Sequence, residues 1–112
     1  MGTVTKSEQP GQSFLHSWTL IQGDATGQAV KIPGAADRAI QFVGTFDSAT
    51  VVLQGSNDGT NWNTLHDTAG NEISASSAII AAVAENPLYI RPSSSGGGAS
   101  QAVEAHLMSR AK

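Results

Sequence analysis

VVLQGSNDGTNW, residues 51–62, is the stretch from which the fold class can be read. Val51, Val52 and Leu53 are β-branched or apolar and suit a central strand. Gly55 to Thr60 then concentrates turn formers. Asn57, Asp58 and Gly59 tolerate positive φ, so two strands can reverse tightly there. Trp62 returns on the second strand, where it is expected to re-enter the core. The reading is a β-hairpin that presents a polar tip.

The same period of two continues on both sides. Toward the N-terminus, Arg38 to Phe46 reads as a strand with Ile40, Phe42 and Phe46 on one face and Gln41, Val43 and Thr45 on the other. Asp47-Ser48 makes the following turn. Phe14, His16, Trp18 and Leu20 share one face of an earlier strand, and Leu15, Ser17, Thr19 and Ile21 share the other. Gly23-Asp24 and Gly27 mark a turn. Gln28 to Ile32 is a short strand stopped by Pro33-Gly34.

Toward the C-terminus, Asn61 to His66 alternates, and Thr68 to Asn71 turns. Glu72 to Ala84 is strand or irregular: its alanines favour a helix, but Ile73, Ile79, Ile80 and Val83 form no helical stripe. Leu88 to Arg91 is a short strand that Pro92 ends, and Ser93 to Ser100 is a Ser/Gly loop. Gln101 to Arg110 is the last strand, with Val103, Ala105 and Leu107 inward and Glu104 and His106 outward. These strands, about eight in number and spaced by about ten residues, predict an all-β antiparallel sandwich or barrel. Residues 1–12 are polar and read as a flexible N-terminal arm; residues 13–112 read as a single domain.

Composition narrows the function. The 112 residues suffice for one core without staples, and the absence of cysteine removes disulfides, thiolate metal sites and a cysteine nucleophile. Charged residues make up 13% of the chain, about half of the ~25% usual share. A surface of small neutral polar groups suits a protein packed against many neighbours, because few charges then need desolvating. The formal net charge is −3, and Lys6, Lys31, Arg38, Arg91, Arg110 and Lys112 are scattered. No cluster can neutralise a row of phosphates, which speaks against nucleic acid. The longest apolar run, Ala78 to Ala84, is too short to cross a bilayer, and Met1 to Gln12 holds no apolar segment of a signal peptide. The expectation is a protein made in the cytoplasm, with no membrane partner.

Chemistry-bearing residues form no recognised constellation. Asn57, Asp58 and Asn61 offer oxygen donors at the hairpin tip, but the acidic spacing of a calcium loop is missing, so turn chemistry is the expected role. His16, His66 and His106 lie on three separate strands without zinc spacing, and would converge only if those strands were neighbours. No Gly-x-Ser-x-Gly elbow is present, and Gly96-Gly97-Gly98 lacks the strand and helix of a phosphate cradle. Two readings are open for Arg91: a partner for a carboxylate or a neighbouring subunit, or a strand-edge charge that guards against wrong pairing. Trp18 and Trp62 are expected in the core. No metal, no cofactor and no enzymatic activity are expected.

LQGSNDGTNW, residues 53–62, resembles the signature hairpin of discoidin-like β-sandwiches and a hairpin of small structural proteins of tailed bacteriophages. ENPLYIRPSSSGGG, residues 85–98, followed by a final strand ending at Arg110, resembles the phage proteins more closely. The likeness covers about Ala39 to Arg110. It implies a jelly-roll-like sandwich and a capsid decoration (cement) subunit on the outer surface of the virion. Its partners would be the major capsid protein and copies of itself, as a trimer or dimer. Asn57, Asp58, Asn61 and Arg91 would be interface or recognition residues. The discoidin likeness implies instead a carbohydrate- or cell-surface-binding module, and a tail or fibre subunit is a third role of the same modules. The chain departs from discoidin domains in its length, its lack of cysteines and its lack of exposed aromatics at loop tips.

Overall fold

Alternating apolar residues commit a chain to sheets whose one face is buried, and two such sheets must cover each other. The computed structural model describes residues 2–9, 13–32 and 37–110, and among these the chain forms ten strands and no helix. They are β1 (Val4–Gln9), β2 (Ser13–Leu20), β3 (Val30–Lys31), β4 (Asp37–Thr45), β5 (Thr50–Ser56), β6 (Asn63–Thr64), β7 (Ser74–Ala75), β8 (Ile79–Ala82), β9 (Tyr89–Ser95) and β10 (Ala102–Arg110). One sheet has the order β1-β2-β10-β4-β8. The other has the order β3-β9-β5-β6, with β7 also on β5. All strand pairs are antiparallel.

The wrapping follows from this order. Leu53 on β5 donates its N–H to the Ile73 carbonyl (3.2 Å), and its carbonyl accepts the Leu65 N–H (2.8 Å). β6 and β7 are therefore one strand interrupted by the excursion of residues 65–73. With β1 set aside and β6 and β7 merged, the ten strands reduce to eight. The larger sheet holds the first, eighth, third and sixth of these; the smaller holds the second, seventh, fourth and fifth. First beside eighth and second beside seventh is jelly-roll wrapping.

Between the sheets lie Trp18, Leu20, Ile40, Phe42, Leu53, Ile90, Val103 and Leu107, all essentially without solvent contact. Truncating an aromatic buried like Trp18 (2% exposed) typically costs about 3–5 kcal/mol. Both lateral openings are stitched. On one side Gly2 gives its N–H to the Thr26 carbonyl (2.8 Å) and takes the Gln28 N–H (2.7 Å), while the Trp18 indole N–H donates to the Gln28 carbonyl (2.8 Å). Gly27 fits here because a Cβ would stand 2.7 Å from Pro92 Cδ and 2.8 Å from Trp18 Cδ1. On the other side the 65–73 excursion reaches the larger sheet: Ala84 N–H donates to the His66 carbonyl (2.9 Å), and Asp67 bridges Val83.

Four expectations are corrected. Val4–Gln9 is a strand paired along β2, not part of a flexible arm, because its backbone completes the sheet edge and Val4 packs against the core; Pro10 to Gln12 lie outside the described residues. Pro92 does not end its strand. It stands opposite Leu53, and its carbonyl accepts the Gly27 N–H (2.8 Å), so the side on which proline lacks a donor faces away from β5. Ser93–Ser95 accordingly belong to β9 rather than to a loop. The Gln28–Ile32 strand shrinks to Val30–Lys31, and the Pro33-Gly34 stop lies outside the described residues.

Arg38 and His16 are the ionisable groups among the buried polar residues of the described chain. Arg38 is buried at one end, where its guanidinium donates to the carbonyls of Pro87 (2.9 Å) and Ile32 (2.8 Å). His16 faces inward, and its Nδ1 has no hydrogen-bond partner. Burial lowers the His16 pKa from 6.5, and Lys6, its cross-strand neighbour, lowers it further. The unfolded chain therefore takes up a proton near pH 6.5 that the folded chain resists, and stability falls as pH drops through that value. Thermal melts from pH 7.5 downward should show this decline in the wild type and a flatter profile in His16→Leu.

Candidate functional site

β5 ends at Ser56 opposite Tyr89, the first residue of β9, and Lys31 of β3 also pairs with Tyr89. The 57–62 hairpin and the 84–88 loop thus emerge at one end of the sandwich. An open cleft of about 660 Å³ lies between them. Gly55, Leu65 and Pro87 form its floor, and four asparagines (Asn57, Asn61, Asn63 and Asn86) line it with Asp58, His66 and Glu85. The floor requires glycine at 55, since a Cβ would stand 2.5 Å from Pro87 Cγ and 2.7 Å from Leu65 Cδ2.

Asp58 organises the hairpin. Its carboxylate accepts the N–H groups of Asn61 and Thr60 (2.8 Å each), the Asn61 amide (2.7 Å) and the Ser56 hydroxyl (2.8 Å). The Asn61 and Thr60 N–H bonds, then the side-chain bonds, hold its pKa far below the usual carboxylate range. Ser56 Oγ in turn accepts the N–H groups of Gly59 (2.9 Å) and Asp58 (3.2 Å). Only Gly59 of the tip takes a positive φ, 77°; Asn57 and Asp58 do not use that freedom. Asn57 instead accepts the Leu88 N–H (3.0 Å), which pins the hairpin to the loop across the cleft.

Arg91 is not brought to this cleft. It sits on the outer face of the smaller sheet, where its Nε donates to Gln54 Oε1 (2.9 Å) and its guanidinium lies 4.0 Å from the Trp62 ring centre. That geometry is a cation–π contact. β9 has β3 and β5 on its two sides, so the strand-edge reading of Arg91 is wrong. Trp62 is half-buried on that outer face, not in the core as expected: the turn places it outside the sandwich, with Arg91 as its cover. Partial burial lowers the Arg91 pKa, though not enough to discharge a guanidinium.

A pair invisible in the sequence completes the cleft. Glu85 accepts the His66 backbone N–H (2.8 Å) through one oxygen and contacts His66 Nδ1 (2.6 Å) through the other. Both side chains are 41% exposed. Burial acts to raise the Glu85 pKa, but the His66 backbone and ring hydrogen bonds outweigh it and leave the carboxyl below its usual range. The two residues are 19 apart, and the excursion that joins them has no local signature.

The three histidines do not converge. His16 faces the core, His66 lies at the cleft, and His106 points outward from β10. His106 Nδ1 meets Ser17 Oγ at 2.8 Å, and its Nε2 stands 3.6 Å from Glu104 Oε1. The trio lies on the outer face of the larger sheet, Ser17 on β2 and Glu104 and His106 on β10, and the backbone N–H groups of both strands run in the sheet plane toward their neighbours. None is aimed at a substrate above the face, as an oxyanion hole requires. Among the described residues no three His, Asp or Glu side chains are grouped to hold a metal, and no helix is long and apolar enough to cross a membrane. No protein-family model matches the chain, and no curated protein matches it.

The hydrogen bonds at Asp58 define a local test. In Asp58→Ala the Thr60 and Asn61 amides should exchange with solvent markedly faster, while β5 amides keep their protection. Amide hydrogen exchange read by NMR checks both.

Proposed function

We propose that the protein is a non-enzymatic virion structural protein, a decoration subunit that docks on an assembled phage head through the outer face of its larger sheet. The observation that carries this reading is the character of that face. Leu15, Met108, Ala39 and Ala82 stand side by side on β2, β10, β4 and β8 and make an apolar row across four strands. The adjacent row holds Ser17, His106, Gln41 and Ile80. On the outer side of β2, β10 and β4, Glu104 is the one formal charge inside the Asp37–Arg110 pair at the sheet end. A broad face with so few charges loses little on desolvation, which suits docking on a large neighbour. Jelly rolls also recur in viral capsids. The mechanism is linkage: a subunit that binds the closed shell better than free capsid protein makes the shell harder to open, and many copies add their effects.

Purified protein mixed with matched, undecorated heads should sediment with them at saturable stoichiometry and raise the temperature at which they release DNA. Met108→Lys, at a half-exposed site, should fold normally and lose that binding. Protein that stays in the supernatant would sink the reading.

A carbohydrate-binding module is the second reading, and the asparagine-lined cleft favours it, since amides bind sugar hydroxyls through paired donors and acceptors. On this reading a glycan array should give a hit that Asn63→Ala and Asn86→Ala both weaken. An array without hits counts against it.

A further inference from the structure

An aspartate followed by glycine can rearrange its own backbone. The glycine N attacks the aspartate Cγ, a carboxyl oxygen leaves as water, and a succinimide ring closes. Water then opens the ring at either carbonyl. Opening at the former main-chain carbonyl leaves isoaspartate, in which the chain runs through Cβ and Cγ. The water lost in closing is regained in opening, so the sum is an isomerisation. Glycine favours the attack because it has no side chain to hinder it. Asp58-Gly59 is the only place in the chain where Asp or Asn is followed by glycine. The pair lies on the exposed tip of the 57–62 hairpin.

The fold holds both reacting groups in other bonds. The attacking group, Gly59 N–H, donates to Ser56 Oγ (2.9 Å). The attacked carboxylate is engaged at both oxygens. Oδ1 takes the N–H groups of Thr60 and Asn61 and the Ser56 hydroxyl (2.8 Å each), and Oδ2 takes the Asn61 amide (2.7 Å). A carboxyl oxygen leaves readily only once it is protonated. The Asn61 and Thr60 N–H bonds, then the side-chain bonds, keep Asp58 ionised far below the usual carboxylate range. Ser56 anchors both sides of the reaction. It is buried at the end of β5, where its Oγ meets the Asp58 carboxylate and the N–H groups of Asp58 and Gly59. Ring closure therefore requires the carboxylate to give up its donors and Gly59 to leave Ser56.

We propose that Asp58-Gly59 is the isoaspartate site of this chain and that the hydrogen bonds of the hairpin tip keep it closed, so that conversion proceeds only when the tip opens. The rate in the folded chain is then the rate in the unfolded chain multiplied by the fraction of time the tip is open. The consequence reaches the cleft. Isoaspartate adds Cβ to the main chain and leaves the free carboxylate on Cα, so the N–H groups of Thr60 and Asn61 lose the acceptor that shapes the turn. The preceding residue, Asn57, is the one that holds the Leu88 N–H across the cleft (3.0 Å). Conversion therefore loosens one wall of the cleft while the composition of the chain stays the same.

The inference rests on neither reading of function, because the site is read by its chemistry and not by binding. The full chain is incubated in mildly acidic buffer, folded and, separately, unfolded in guanidinium chloride. Isoaspartate is counted by peptide mapping, in which the rearranged peptide elutes apart at unchanged mass. The unfolded chain should convert at Asp58 ahead of any other aspartate, and the folded chain should lag by about tenfold or more. Ser56→Ala, which removes the anchor of both reacting groups, should raise the folded rate toward the unfolded one. Far-UV circular dichroism and a thermal midpoint near wild type show that the variant is folded. If it is not, Asn61→Ala, at an exposed side chain, decides: freeing Oδ2 should speed conversion severalfold. An unfolded chain that converts first elsewhere, a folded wild type that converts as fast as the unfolded chain, or a folded variant no faster than wild type would overturn the proposal.

Discussion

The Trp18 indole is the point at which the two sheets are tied together. Sheets packed face to face share no ladder of hydrogen bonds; they stay in register only through side-chain packing and through chain segments that cross between them. Trp18 supplies both. Its ring fills the core, and its N–H holds the Gln28 carbonyl on the crossing from β2 to β3. That crossing is held close to Pro92 through Gly27, and Pro92 stands opposite Leu53 on β5. β5 in turn leads into the hairpin that forms one wall of the cleft. One run of contacts thus joins the tryptophan, a glycine that admits no Cβ and the middle of the strand that leads to the cleft.

The strands that sequence reveals are those that bury one full face. β2, β4 and β10 alternate because every second residue enters the core; of their expected inward residues Phe14 alone is only partly buried, and Arg38 and Ser109 join the buried set unannounced. The jelly-roll order follows from those strands once pairing is known. β1 was hidden because an edge strand's stability comes mainly from its backbone, so VTKSEQ carries only Val4 as an apolar signal. Pro92 misled because its effect depends on which way its missing donor points, and only pairing decides that. The 65–73 excursion was hidden for a related reason: a strand interrupted and resumed on the same neighbour looks like two short strands.

The site was legible in the part that is local. Asn57, Asp58 and Asn61 were read as turn chemistry, and Asp58 does gather the donors of its own turn. Arg91 and Trp62 lie far apart in the sequence and meet because β9 lies beside β5, so their contact could not be read from either stretch. The His66–Glu85 pair was missed because the excursion that brings it together follows from the topology and leaves no trace in sequence spacing.

The two outer faces of the sandwich differ in a way that bears on the proposals. On the smaller sheet Arg91 lies over Trp62 and is held by Gln54, so its large aromatic and its charge already satisfy each other. That face presents a finished surface. On the larger sheet the apolar row has no cover of its own among the described residues, and the row beside it ends in the exposed Ile80. Exposed isoleucine on an unguarded edge is a liability in a crowded solution, and natural sheets avoid it unless something covers it. The face and the exposed isoleucine meet at β8, so on the proposed reading a lattice that covers the face covers Ile80 as well, and many copies add their contacts.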